Sequence, residues 1–312
     1  MAQFKINSKS ETIISLIDGI KASDELSRVD LFINTMSIFD LQARLNIDDI
    51  FDRDKLIKLY IKFINDSIMN WSEELIKKME NSINELNKYQ NLHLFSFPKI
   101  IYIICTNGKN ESGAAHCRNM NLILMPISKI LDSVPKIRKL ASGAEWNNTL
   151  IHELFHIWSR NNIELKEKLY KLISYNKIPN NIELPDDLKD LKITNPDAPI
   201  IDYYIKLNNQ YLAPILVASE KFIKNKKDSF FDYLQISFII LDNDFKSTGK
   251  LVPFKDYETE LYEHIGKNTE YIIHPEETLA DNFVLIIKDY INNKDYKVPS
   301  LWVLYNFIQF IN

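Results

Sequence analysis

The sequence predicts an α+β fold in which helices dominate, and three features of its patterning carry that prediction. Apolar residues recur at three- and four-residue spacing through most of the first ninety residues, as amphipathic helices require. Two β-branched runs break that rhythm at 97–108 and 121–126. Two strongly apolar segments with helical spacing, "HPEETLADNFVLIIKDYI" and "PSLWVLYNFIQFI", close the chain. With 312 residues, 46% hydrophobic and 26% charged, the chain can bury a sizeable core, and neither disorder nor a fibre fits its composition.

Taken in order, the residues from 11 to about 90 read as helices, and 1–92 is expected to form a helical N-terminal region ahead of a second unit at 93–312. "FPKIIYIICTNG", bounded by Pro98 and Gly108, reads as a buried strand, and "NLILMP" as a second short one. The small residues of "SGAAHC" between them suit either a turn or a sheet edge along which an extended peptide could lie. Ser142-Gly143-Ala144-Glu145 has the form of a capping box and predicts a helix from about 143 to 160, closed by Arg160 and Asn161-Asn162. "ELKEKLYKLISY" predicts another. Four prolines between 176 and 200 predict a long surface connection with little regular structure, of the kind that often carries function. "DYYIKL", "YLAPILVA" and "FFDYLQISFIIL" then read as a strand meander before the closing helices.

Charge and composition narrow the classes of function. The net charge of −4 leaves one compact basic run, "KFIKNKKD", which reads as a solvated turn, so no nucleic-acid partner is expected. No apolar stretch approaches the roughly 20 residues of a membrane span. "ETIISLIDGI" is interrupted by Asp18 and is not a signal-peptide core, so a cytoplasmic location is the expectation, although signal-independent export would leave no mark. Cys105 and Cys117 are too few for a disulfide framework and read as reduced thiols, Cys105 in the core.

The chemistry concentrates in His152-Glu153-Leu154-Phe155-His156. Residues four apart lie about 40° from each other on a helix, so both rings can converge on one ion. Two imidazoles supply half of the tetrahedral donor set that zinc prefers. Glu153 flanks that stripe, where a carboxylate can act as base toward a water without binding the metal. In "IIHPEETLADNF", Pro275 suits the first helical position and places Glu276 and Glu277 in the first turn. Glu277 is the better third ligand, because Asp281, four residues on, shares its face and can accept the N–H of a ligating imidazole. Glu276 has Ala280 at the equivalent position. Tyr271, and after it His274, are the candidates for stabilising an oxyanion.

His152-Glu153-x-x-His156 followed by Glu277-x-x-x-Asp281 on a second helix resembles the gluzincin group of zinc metallopeptidases. "ETLADNF" is also similar to the Glu-x-x-Ala-acid-x-Phe pattern in the catalytic domain of anthrax lethal factor. "TNPDAP" and "NTEYIIHPEE" look like stretches of a group of uncharacterised bacterial peptidase-like proteins. The resemblance implies one zinc ion on His152, His156 and Glu277, Glu153 as general base, Asp281 orienting a histidine, and a peptide or protein substrate. It also implies a zincin-like domain, with a small sheet above the metal helix and a helical lower lobe carrying Glu277. The long insert and the missing export signal depart from the thermolysin-like pattern. Two other readings stay open at this point. One is a deformylase-like zinc amidase with Cys117 as third ligand; the other is an inactive zinc protein whose first ninety residues dock a partner.

Overall fold

A computed structural model describes residues 1–131, 146–292 and 297–311. The chain is a mixed α/β fold, 44% helical and 19% strand, so helices dominate as expected. In chain order the N-terminal elements are β1 (Gln3–Lys5), β2 (Ile13–Ile17), α1 (Gly19–Leu26), α2 (Leu31–Thr35), α3 (Ile38–Leu45), α4 (Arg53–Asn65) and α5 (Glu73–Leu86). Next come β3 (Ile100–Thr106), β4 (His116–Arg118), β5 (Leu122–Pro126), α6 (Ile127–Ile130), α7 (Trp146–Asn161) and α8 (Ile163–Leu172). The remainder comprises β6 (Asn176–Lys177), α9 (Asp186–Leu191), β7 (Tyr203–Leu207), β8 (Gln210–Ala218), β9 (Leu234–Leu241), β10 (Ser247–Pro253), α10 (Glu258–Ile265), α11 (Pro275–Ile287) and α12 (Leu301–Ile311).

The first sheet runs β1-β2-β3-β5-β4. Its centre is parallel, β2 to β3 and β3 to β5, while β1 and β4 lie antiparallel at the two edges. Alternation along β3 sorts the two cores: Ile101, Ile103 and Cys105 face α5 and α7, and Ile104 faces α1 to α4. β4 obeys the same rule. Cys117 joins the α7 side, whereas the His116 ring and the Arg118 guanidinium lie 6.4 and 5.5 Å from the Phe32 ring on the other side. The second sheet, β10-β9-β8-β7-β6, is antiparallel throughout.

Several expectations change. Residues 1–92 are not wholly helical, because β1 and β2 lie within them and β2 pairs with β3. A central strand buried on both faces is a continuous apolar run, and over the five residues of "IISLI" periodicity cannot separate it from a helical turn. The segment 176–200 holds β6 and α9, and it ends in buried Thr194 and Asp197. β10 and α10 were not foreseen. The expected meander is present as β7 to β9. The capping box at 142–145 lies outside the described residues. Among the described residues no helix is long and apolar enough to cross a membrane.

Candidate metal centre

α7 and α11 pack side by side on the α7 side of the first sheet, and each brings functional side chains to the seam between them. α11 begins with Pro275 at its first turn, where a missing N–H costs nothing, and all 13 of its residues are buried. A helix buried all round can hold carboxylates only if every oxygen finds a partner.

The partners are histidines. His152 Nε2 lies 3.0 Å from Glu277 Oε2, and His156 Nε2 lies 3.6 Å from the same oxygen. One ligand atom from each of His152, His156 and Glu277 falls within 4.8 Å of the other two, so a single ion can bridge them. His156 Nε2 is fully buried with no hydrogen bond of its own, and a metal bond would satisfy it. Both remote nitrogens are anchored. His152 Nδ1 meets Asp281 Oδ1 at 2.9 Å, and His156 Nδ1 meets Glu276 Oε1 at 3.1 Å. If these Nδ1 atoms carry the protons, both Nε2 lone pairs face Glu277, the arrangement that ligating imidazoles require.

Each anchor is itself held. Thr269 Oγ1 donates to Asp281 Oδ2. Ser159 Oγ and Tyr170 Oη donate to the two oxygens of Glu276, and Lys166 Nζ lies 3.6 Å from Oε2. Burial alone would raise the Glu276 carboxyl, but the Lys166 charge and the His156 contact outweigh it and hold the group down to about 2. Burial likewise opposes the charge on Glu277, yet His156 and His152 keep it well below the usual carboxylate range. In the metal-free chain burial disfavours a charged His152, but its bonds to Asp281 and Glu277 prevail and raise it to about 10.

Glu153 is buried beside this group. Its Oε2 accepts the Cys117 thiol at 3.3 Å, which places Cys117 with Glu153 and Asp197 as a separate cluster rather than with the two histidines. Burial, reinforced by the charge of Glu153, pushes the Cys117 thiol up. Asp197 is also buried and, with Glu153 and Glu277 nearby, is pushed up to about 7.

Not all the expected positions serve as foreseen. Tyr271 has its ring 6.1 Å from that of His152. His274 is the N-cap of α11; its Nδ1 accepts the Glu276 N–H at 3.1 Å, and burial lowers the ring to about 4, so it is neutral and committed to the helix. Glu276, the weaker candidate for the third ligand, is the partner of His156 Nδ1. Asn195 and Asp197 went unrecognised although "TNPDAP" stood out as a motif: Asn195 Nδ2 donates to Glu277 Oε1 at 2.7 Å. The edge at "SGAAHC" does include strand β4, but its outward groups are taken. Cys117 N–H donates to Asp197 Oδ1 at 2.9 Å, and Arg160 donates to the carbonyls of Cys117 and Asn119 at 3.3 and 2.9 Å. Comparisons with protein-family models, with characterised proteins and with solved structures find no match to this chain.

Proposed function

We propose that the chain is a zinc-dependent metallopeptidase with a gluzincin-type donor set on a zincin-like domain. The observation that carries this reading is the convergence of His152, His156 and Glu277 within 4.8 Å, with each imidazole tied at its other nitrogen to a carboxylate. A structural zinc site closes its coordination with four protein ligands, whereas three protein donors leave a position for water or substrate. The packing of α11 against α7, on one face of a sheet that ends in the short antiparallel edge strand β4, supports the zincin-like reading.

The chemistry such an ion supplies is Lewis acidity toward a carbonyl oxygen and acidification of water. The residues of the chain do the rest. Glu153 takes a proton from the attacking water and hands it to the departing amine. Asp281 and Glu276 keep His152 and His156 in the tautomer that presents Nε2. Tyr271 offers a hydroxyl to the oxygen that gains charge as the carbonyl becomes tetrahedral. Cys117 bonds to Glu153 and lies apart from the histidines, which weighs against the amidase alternative.

The test is metal analysis beside peptide hydrolysis. Purified wild type should carry zinc near one equivalent and cleave members of a diverse peptide library. Glu153→Gln should keep the zinc and lose at least about 100-fold in turnover. Wild type without zinc, or equal cleavage by wild type and Glu153→Gln, would overturn the proposal. Zinc retained with no cleavage of any peptide would favour a binding role.

A further inference from the structure

The loop after α9 reads Thr194-Asn195-Pro196-Asp197, and its polar groups bind three separate parts of the molecule. The Thr194 N–H lies 3.0 and 3.1 Å from the two oxygens of Asp40, and its hydroxyl lies 2.7 Å from Oδ2. The Thr194 carbonyl accepts from Arg44 Nη2 at 3.1 Å. Asp40 and Arg44 sit on α3 and are buried, and Arg44 also donates to both oxygens of Glu111. Asp197 takes the Cys117 N–H and Arg160.

Between these anchors, Asn195 faces the metal centre in one defined sense. Its Oδ1 accepts the Asp197 N–H at 3.0 Å, so its Nδ2 is the atom that reaches Glu277 Oε1 at 2.7 Å. The two oxygens of Glu277 therefore have different tasks. Oε2 faces the imidazoles, and Oε1 is held from outside. The terminal torsion of a glutamate is broad and two-fold, so α11 alone does not fix where Oε2 points.

We propose that Asn195 is a positioning residue for the Glu277 carboxylate, and that the buried Asp40 on α3 sets its reach through Thr194. This rests on the metal reading given above. Losing an outer partner of a metal ligand weakens metal binding about 10- to 100-fold, and Asn195 is such a partner.

The full chain is compared as wild type, Asn195→Ala and Thr194→Val. Three readouts are used: zinc affinity by chelator competition, the visible spectrum of the Co²⁺-loaded protein, and thermal unfolding with metal removed. Asn195→Ala should weaken zinc about 10- to 100-fold and alter the Co²⁺ spectrum, with the metal-free melting temperature within about 2 °C of wild type. Thr194→Val should weaken zinc by a smaller factor. Unchanged affinity and spectrum in Asn195→Ala would overturn the proposal. So would a loss of affinity accompanied by a large fall in metal-free melting temperature, which marks a brace for the fold. Wild-type affinity in Thr194→Val would overturn the link to α3. A wild type that binds no zinc sinks the metal reading itself, a result visible before any variant is compared.

Discussion

His152 and His156 present one problem twice: an imidazole aimed at an ion through Nε2 needs an acceptor behind Nδ1, and burial makes a missing acceptor costly. Asp281 answers it for His152 and Glu276 for His156. The first was legible in the sequence because Glu277 and Asp281 stand four apart on one helix. The second was not, because what separates Glu276 from its neighbour is the roughly 100° between adjacent helical positions, and its target lies on another helix. Glu276→Gln, measured by chelator competition, should weaken zinc about 10- to 100-fold. A pH effect follows from two other histidines. Burial lowers His274 to about 4, and burial with the nearby Arg118 charge lowers His116 to about 3, whereas unfolded histidine titrates near 6.5. At these two sites the unfolded chain binds more protons than the folded one below about pH 6.5, so the stability they contribute falls as pH drops toward their folded values. His274→Asn keeps a capping acceptor and removes one of the two groups. Its urea midpoint should gain on wild type progressively between pH 7 and pH 4, and a constant difference would contradict the assignment.

At the scale of elements, α7 and α11 were legible because each combines a chemical motif with sustained helical spacing. Their packing gives the centre its rigidity. Phe283 of α11 lies 4.6 Å from the Phe95 ring and 5.6 Å from that of Phe155 on α7. Phe283→Ala should destabilise the chain by about 3–5 kcal/mol in denaturant unfolding, because a cavity opens where neighbouring aromatic rings cannot close in. β2 and β10 were missed for opposite reasons. "IISLI" is apolar on both faces and has no two-residue alternation to read, while "STGKLVP" carries Gly249 and Lys250 in a half-exposed edge strand with an irregular register. Asn195 and Asp197 were illegible as site residues because a loop side chain has no periodicity to say what it faces.

For the whole molecule, the expected division at residue 92 meets a sheet that crosses it. β2 supplies the neighbour on which β3 rests, and residues on both sides of that point fill one core. Deleting residues 1–92 would expose the edge of β3 and the apolar faces that α1 to α5 cover. Such a fragment should aggregate rather than elute as a monomer in size-exclusion chromatography, and a monodisperse, cooperatively melting fragment would show that 93–312 folds alone. The far side of that sheet is protected differently. With Asp197 and Arg160 occupying the N–H and carbonyl of Cys117 in β4 and the carbonyl of Asn119 just beyond it, two molecules have no ladder to zip together at those groups. An incoming peptide meets the same refusal, so in the peptidase reading selectivity should depend on which side chains fit nearby hollows, and replacing individual backbone amides of a cleaved peptide by esters at that stretch should cost little.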